Sequence, residues 1–133
     1  VLFEIGAEAG LKSPAKAVEL PDGKTFAVAD SGAGKVLLFT VEGDTAKAAG
    51  AVDVIKPVYL AASKTHLFVS DEGIDEKAQG QVLSFKINGG KLSPAGAMTQ
   101  GIGKPYGIAY DEKQNVLVIV DRKSKKLINV PLK

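Results

Sequence analysis

At 133 residues, with 45% hydrophobic and 24% charged residues, the chain has the size and composition of one globular domain. Seventeen basic residues against fifteen acidic ones leave a net charge of +2, too little to mark a nucleic-acid or anionic-membrane surface. With no cysteine, disulfides, thiol nucleophiles and thiolate metal sites are excluded, and no apolar run is long enough to span a bilayer.

Taken in order, the chain opens with VLFEIGAEAGL and reaches its first structural punctuation at Pro14. A Val start rather than Met is expected of a chain that has lost a leader or tag, or has been excised or designed as part of something longer. From Pro14 the segment PAKAVELPDGKTFAVAD ends at Asp30, sixteen residues on, and the segment PYGIAYDEKQNVLVIVD from Pro105 to Asp121 has the same span. Between them PVYLAASKTHLFVSD runs from Pro57 to Asp71, two residues shorter. After each aspartate comes a turn and a further apolar run: KVLLFTV at 35–41, QVLSFKI at 81–87 and KKLINV at 125–130. The first apolar residue lies 6 positions after the aspartate in the outer units (Val36, Leu127) and 11 after it in the middle one (Val82), so a five-residue insertion sits in the loop 71–80.

The units therefore repeat at 43 and 48 residues, the spacing of four-stranded β-propeller blades and not of helical repeats. FAVA, VLLF, LFV and VLVIV have strand length and β-branched or aromatic composition, and Asp-Gly, Glu-Gly and Gly-Gly pairs bound them. Their lack of polar alternation fits strands covered on both faces. TAKAAGAVDVI (45–55) and KLSPAGAMTQGI (91–102) read as fourth, outer strands of the first two units. The third unit ends without one. The sequence thus predicts an all-β chain of three four-stranded antiparallel blades: 14–56, 57–104 and 105–133, with 1–13 closing the last blade as its outer strand. Three blades leave a ring open, so a homodimer making six blades by strand exchange and blade-face contact is expected.

These motifs, P-x-G-I-A-Y-D through V-L-V-I-V-D to K-L-I-N-V, resemble the blade signature of the NHL, SMP-30/gluconolactonase and YVTN/lactonase-like propellers. PDGKTFAVADSGAGKVLLFTVEGD and GQVLSFKINGGKLSPAGAM are most similar to the lactonase-type blades. The resemblance implies a propeller fold, which carries hydrolases, lyases, binding proteins and scaffolds alike. It also implies, for the SMP-30 type, a metal-dependent lactonase holding a divalent cation through Glu, Asn and Asp. Glu19, on a first strand, is the residue placed for that role, and no Asn and Asp match the other positions.

Several polar residues stand out on their own. Asp30, Asp71 and Asp121 could form a carboxylate ring, or each could accept N–H bonds from the turn that follows it. In the insertion, Asp71, Glu72, Asp75 and Glu76 offer oxygen ligands to a hard cation such as Ca2+ or Zn2+, though without EF-hand spacing, and a solvated loop is the plainer reading. Lys12, Lys56 and Lys104 precede the three opening prolines and could ring a channel mouth for an anion, with Tyr59 and Tyr106 on the inner strands beside them. His66, the single histidine, begins a second strand with no nucleophile readable beside it. The expected function is a non-enzymatic, self-assembling scaffold or binding module for a small molecule or protein. The alternative is a lactonase-like hydrolase whose site forms in the assembled channel.

Overall fold

The structure, a computed structural model, describes residues 4–132. Among the described residues eleven strands form three antiparallel sheets. The first is a meander of β1 (Pro14–Glu19), β2 (Thr25–Asp30), β3 (Lys35–Glu42) and β4 (Thr45–Asp53). The second repeats it with β5 (Pro57–Ala62), β6 (His66–Asp71), β7 (Gln81–Asn88) and β8 (Lys91–Met98). The third has β9 (Pro105–Asp111), β10 (Val116–Asp121) and β11 (Lys126–Pro131).

The repeat legible in the sequence is a repeat of register. Pro14 pairs with Asp30, Pro57 with Asp71 and Pro105 with Asp121, and a bulge follows the proline pair in all three sheets. A proline lacks the N–H that a regular ladder needs, so the start of an edge strand with an immediate bulge is a site it tolerates. A second bulge recurs where Gly50 faces Leu38 and Gly96 faces Ser84, bending both outer strands.

The sheets pack face to face. Ala27, Ala29, Val36 and Leu38 of the first meet Leu60, Leu67, Val69 and Phe85 of the second. The other face of the second sheet sends Ala61, Phe68 and Val82 against Ile108, Leu117 and Ile119 of the third. This is why the middle strands are apolar on both sides. The first strands come closest, with β5 lying between β1 and β9.

The third sheet is three-stranded among the described residues, with β11 at its edge. The N-terminal segment expected to be its fourth strand bears instead a 3-10 turn at Ala7–Ala9. Gly6 donates its N–H to the Glu8 carboxylate, and Gly10 caps the turn at φ 94°, so the local hydrogen bonds close on themselves. Val1, Leu2 and Phe3, also part of that expectation, lie outside the described residues.

One position departs from the repeat at a measurable cost. The turns after Asp30 and Asp121 both need a left-handed residue four places on, which is Gly34 at φ 65° in the first sheet and Lys125 at φ 59° in the third. A side chain there strains the backbone. Lys125→Gly should therefore raise stability by about 0.5–1 kcal/mol, read as an increase in thermal midpoint.

Candidate functional site

Each sheet has an end where its aspartate sits, and the polar chemistry gathers there. Asp30, Asp71 and Asp121 are at most 1% exposed. Asp30 accepts N–H bonds from Lys12 (2.7 Å), Ser13 (2.8 Å) and Ala33 (3.0 Å). Asp121 accepts them from Gly103 (2.7 Å), Lys104 (2.9 Å) and Lys123 (3.0 Å). Asp71 takes the Lys56 and Gly73 N–H groups, both at 3.0 Å, and the Gln81 amide at 3.2 Å. Each carboxylate thus ties the segment entering its sheet to the turn between the second and third strands. Burial alone would raise the carboxyl of Asp121, but the N–H donors around it prevail and bring its pKa down to about 2. Asp30 is lowered by the same balance. The three aspartates are latches, with their oxygens consumed internally.

The insertion 71–80 is stapled down. Asp75 caps its own loop, accepting from the N–H groups of Lys77 and Ala78 at 2.9 Å. The Gln79 amide donates to the carbonyls of Thr99 and Ile102, and the Gly80 N–H to that of Gly103. A Cβ on Gly80 would stand 2.6 Å from both the Asp71 carbonyl oxygen and the Pro105 ring, so glycine is the residue this approach admits.

Beneath the loop lies Lys104, expected at the channel mouth but only 5% exposed. Its ammonium donates to the carbonyl oxygens of Glu72 (2.6 Å) and Asp75 (2.5 Å). It is not an anion-attracting rim lysine: the insertion has folded over it. Lys12 is exposed and joins its latch through the backbone, while Lys56 reaches the Glu72 carboxylate at 3.6 Å.

The proposed metal ligands are not brought together. Glu19 ends β1, at the opposite end of its sheet from the aspartate. Asp71 is engaged by its latch and Asp75 by its loop, while Glu76 is exposed. Among the described residues no three His, Asp or Glu side chains are grouped to hold a cation. His66 also lies at the far end, its Nδ1 2.8 Å from Thr65 Oγ1 and its ring stacked on Phe68 beside a cleft of about 420 Å3.

What does converge is a row of cations and tyrosines on and beside the first strands of the three sheets. Lys16 of β1 sets its Nζ 4.6 Å from the centre of the Tyr59 ring and 3.5 Å from its hydroxyl. The Tyr59 ring is 6.2 Å from that of Tyr106, which lies 5.6 Å from the Arg122 guanidinium carbon. Arg122 donates through Nε and Nη2 to the Glu72 carboxylate, and that bond and charge raise the pKa of the guanidinium. Glu72 is a buried carboxylate whose side chain is 7% exposed, whereas Arg122 is 46% exposed. The row therefore presents Lys16 on Tyr59 at one end and Arg122 and Lys56 on the single Glu72 carboxylate at the other, an excess of positive charge beside two aromatic faces. Tyr59 and Tyr106 were legible as inner-strand candidates and Lys56 as a rim lysine before its proline, but Lys16, Arg122 and the inward role of Glu72 were not. The available signal was that Arg122 is the one arginine among seventeen basic residues and directly follows the repeat's aspartate.

No family model and no curated protein matches the chain. Among solved structures it is similar to a candidate 6-phosphogluconolactonase of Bacteroides fragilis NCTC 9343, with a TM-score of 0.77 and 18% identity over 96% of this chain and 36% of that one. It is similar too to a candidate 6-phosphogluconolactonase of Bacteroides uniformis ATCC 8492, with a TM-score of 0.75 and 18% identity over 87% of this chain and 35% of that one. The chain spans about a third of the length of each. At this identity the likeness speaks to fold, and with the repeated register above it makes the three sheets β-propeller blades.

Proposed function

We propose that the chain forms part of the channel wall of a lactonase-like β-propeller hydrolase and that the row from Lys16 to Lys56 holds an anionic, sugar-derived lactone. The convergence of Lys16, Tyr59 and Tyr106 on three neighbouring first strands with Arg122, in the turn after β10, carries this reading. Guanidinium and ammonium groups suit a phosphate or carboxylate, and tyrosine rings suit the apolar face of a sugar. The same class of compound is named by the two similar propellers.

Lactone opening places negative charge on the carbonyl oxygen when water adds, and a fixed cation nearby stabilises it. Arg122 and Lys16 supply that charge here. Glu72, held between Arg122 and Lys56, orients the guanidinium and is poorly placed to accept a proton. Activation of water on this reading falls to groups elsewhere around the channel.

Calorimetry with 6-phosphogluconate and continuous titration of acid released from its lactone test the proposal. Lys16→Ala should weaken binding about tenfold, a change of roughly 1.4 kcal/mol, and the remaining affinity should fall less steeply with added salt. Binding without turnover would favour the non-enzymatic binding module instead. No binding by the unmodified chain at low salt would sink both.

A further inference from the structure

The residue that follows the latch aspartate is Ser31 in the first sheet, Glu72 in the second and Arg122 in the third. Glu72 is buried, and its main chain is pinned on both sides. Its N–H donates to the Lys56 carbonyl at 3.1 Å, and its carbonyl accepts the Lys104 ammonium at 2.6 Å. The two carboxylate oxygens have different neighbours. Oε2 takes both Arg122 donors, Nε and Nη2, while Oε1 lies 3.6 Å from the Lys56 ammonium.

A side chain held in this way stays in place when an anion reaches the row. Pulling it out would strip a buried charge of its partners. The guanidinium, itself exposed, therefore meets a ligand with its negative partner still attached. That partner matters because lactone hydrolysis changes the charge of the ligand. Water adds to the carbonyl carbon, and the ring C–O bond breaks with its electron pair going to the ring oxygen, which takes a proton and becomes an alcohol. The carboxylic acid formed gives its proton to water at neutral pH. The product thus carries one negative charge more than the lactone, at the carbon that lies beside Arg122 and Lys16.

We infer that Glu72 is a specificity-determining residue, whose fixed charge weakens the hold of the row on the acid product relative to a ligand without the new carboxylate. The inference rests on the lactone reading of the row given above. Glu72 acts here through its charge, over and above its bonds to Arg122. Lys16, Lys56 and Arg122 attract every anion, and Glu72 opposes most strongly the one that gains a carboxylate next to it.

Calorimetry with 6-phosphogluconate and glucitol 6-phosphate tests this, since the two differ by a single carboxylate at one end of the same carbon chain. Glu72→Gln should raise affinity for the acid about tenfold relative to the alcohol, the size of one unit charge acting over a short distance near a protein surface. The amide oxygen can accept both Arg122 donors as Oε2 does, so strand circular dichroism should be retained. Glu72→Ala is a second neutral variant and should move the ratio of affinities the same way. Glu72→Asp keeps the charge and should leave that ratio where it stands, which separates charge from the holding of Arg122. Both ligands bound, with one ratio in the neutral variants and the unmodified chain, would overturn the inference and leave the lactone reading intact. Binding of neither ligand by the unmodified chain would remove the lactone reading itself, and this inference with it.

Discussion

Asp121→Ala is expected to cost about 3–5 kcal/mol, the largest loss from any single substitution considered, and to lower the thermal midpoint accordingly. The carboxylate is 1% exposed and accepts from Gly103, Lys104 and Lys123 at once. Alanine would leave these donors unpaired where water enters poorly, and it would release the segment leading into β9. Asp121→Asn should cost less, because one amide oxygen still accepts while the amide nitrogen faces donors. Denaturant titration at neutral pH distinguishes the three proteins.

The same latch sets an acid limit. The folded pKa of Asp121, about 2, lies below the roughly 3.9 of an unfolded aspartate. A lowered folded value means that the stabilisation is complete above the unfolded pKa and is lost as pH falls through the folded one. Asp30 is shifted in the same direction. Stability should therefore hold down to about pH 4 and fall between about pH 4 and pH 2, and Asp121→Asn should flatten that fall. An acid profile identical in the two proteins would contradict the assignment.

Lys104→Met should cost about 2–4 kcal/mol while leaving the three-sheet packing in place. Methionine keeps the apolar stem but donates nothing to the Glu72 and Asp75 carbonyls, which the ammonium now satisfies from below. The insertion should then loosen locally. Lys77, exposed at its tip, offers a direct readout, since trypsin should cut there much faster in the variant than in the unmodified chain. Because Glu72 leaves the same loop to meet Arg122, the binding proposed for the inner row should weaken in the variant as well, although Lys104 itself is covered. Unchanged cleavage at Lys77 would show that the loop is held by Gln79 and Gly80 alone.

These effects depend on contacts that differ in how far they reach along the chain, and that distance divides what was legible from what was not. The spacing of Pro14, Pro57 and Pro105 from Asp30, Asp71 and Asp121, together with the apolar runs between turns, was enough to establish an all-β chain of three blades and the place of its insertion. These features act within a hairpin or a single sheet, where proline, bulge and turn chemistry determine local geometry. That each aspartate accepts from the turn after it was readable for the same reason, whereas its bonds to the segment entering the sheet, 15–18 residues back, were not. In the segment 1–13, expected as an exchanged outer strand from its likeness to the fourth strands, the described part carries a turn at Ala7–Ala9 between Gly6 and Gly10.

Tertiary structure alone decided which polar groups meet. Lys16 and Tyr59 are 43 residues apart, Lys104 and Glu72 are 32 apart, and Glu72 and Arg122 are 50 apart. Lysines 12, 56 and 104 look alike beside their prolines, yet Lys104 is covered by the insertion and Lys12 is exposed. Whether a side chain faces the row along the first strands, a neighbouring sheet or a folded-back loop depends on how the sheets splay from those strands. Packing of whole faces sets that arrangement, and no local spacing encodes it.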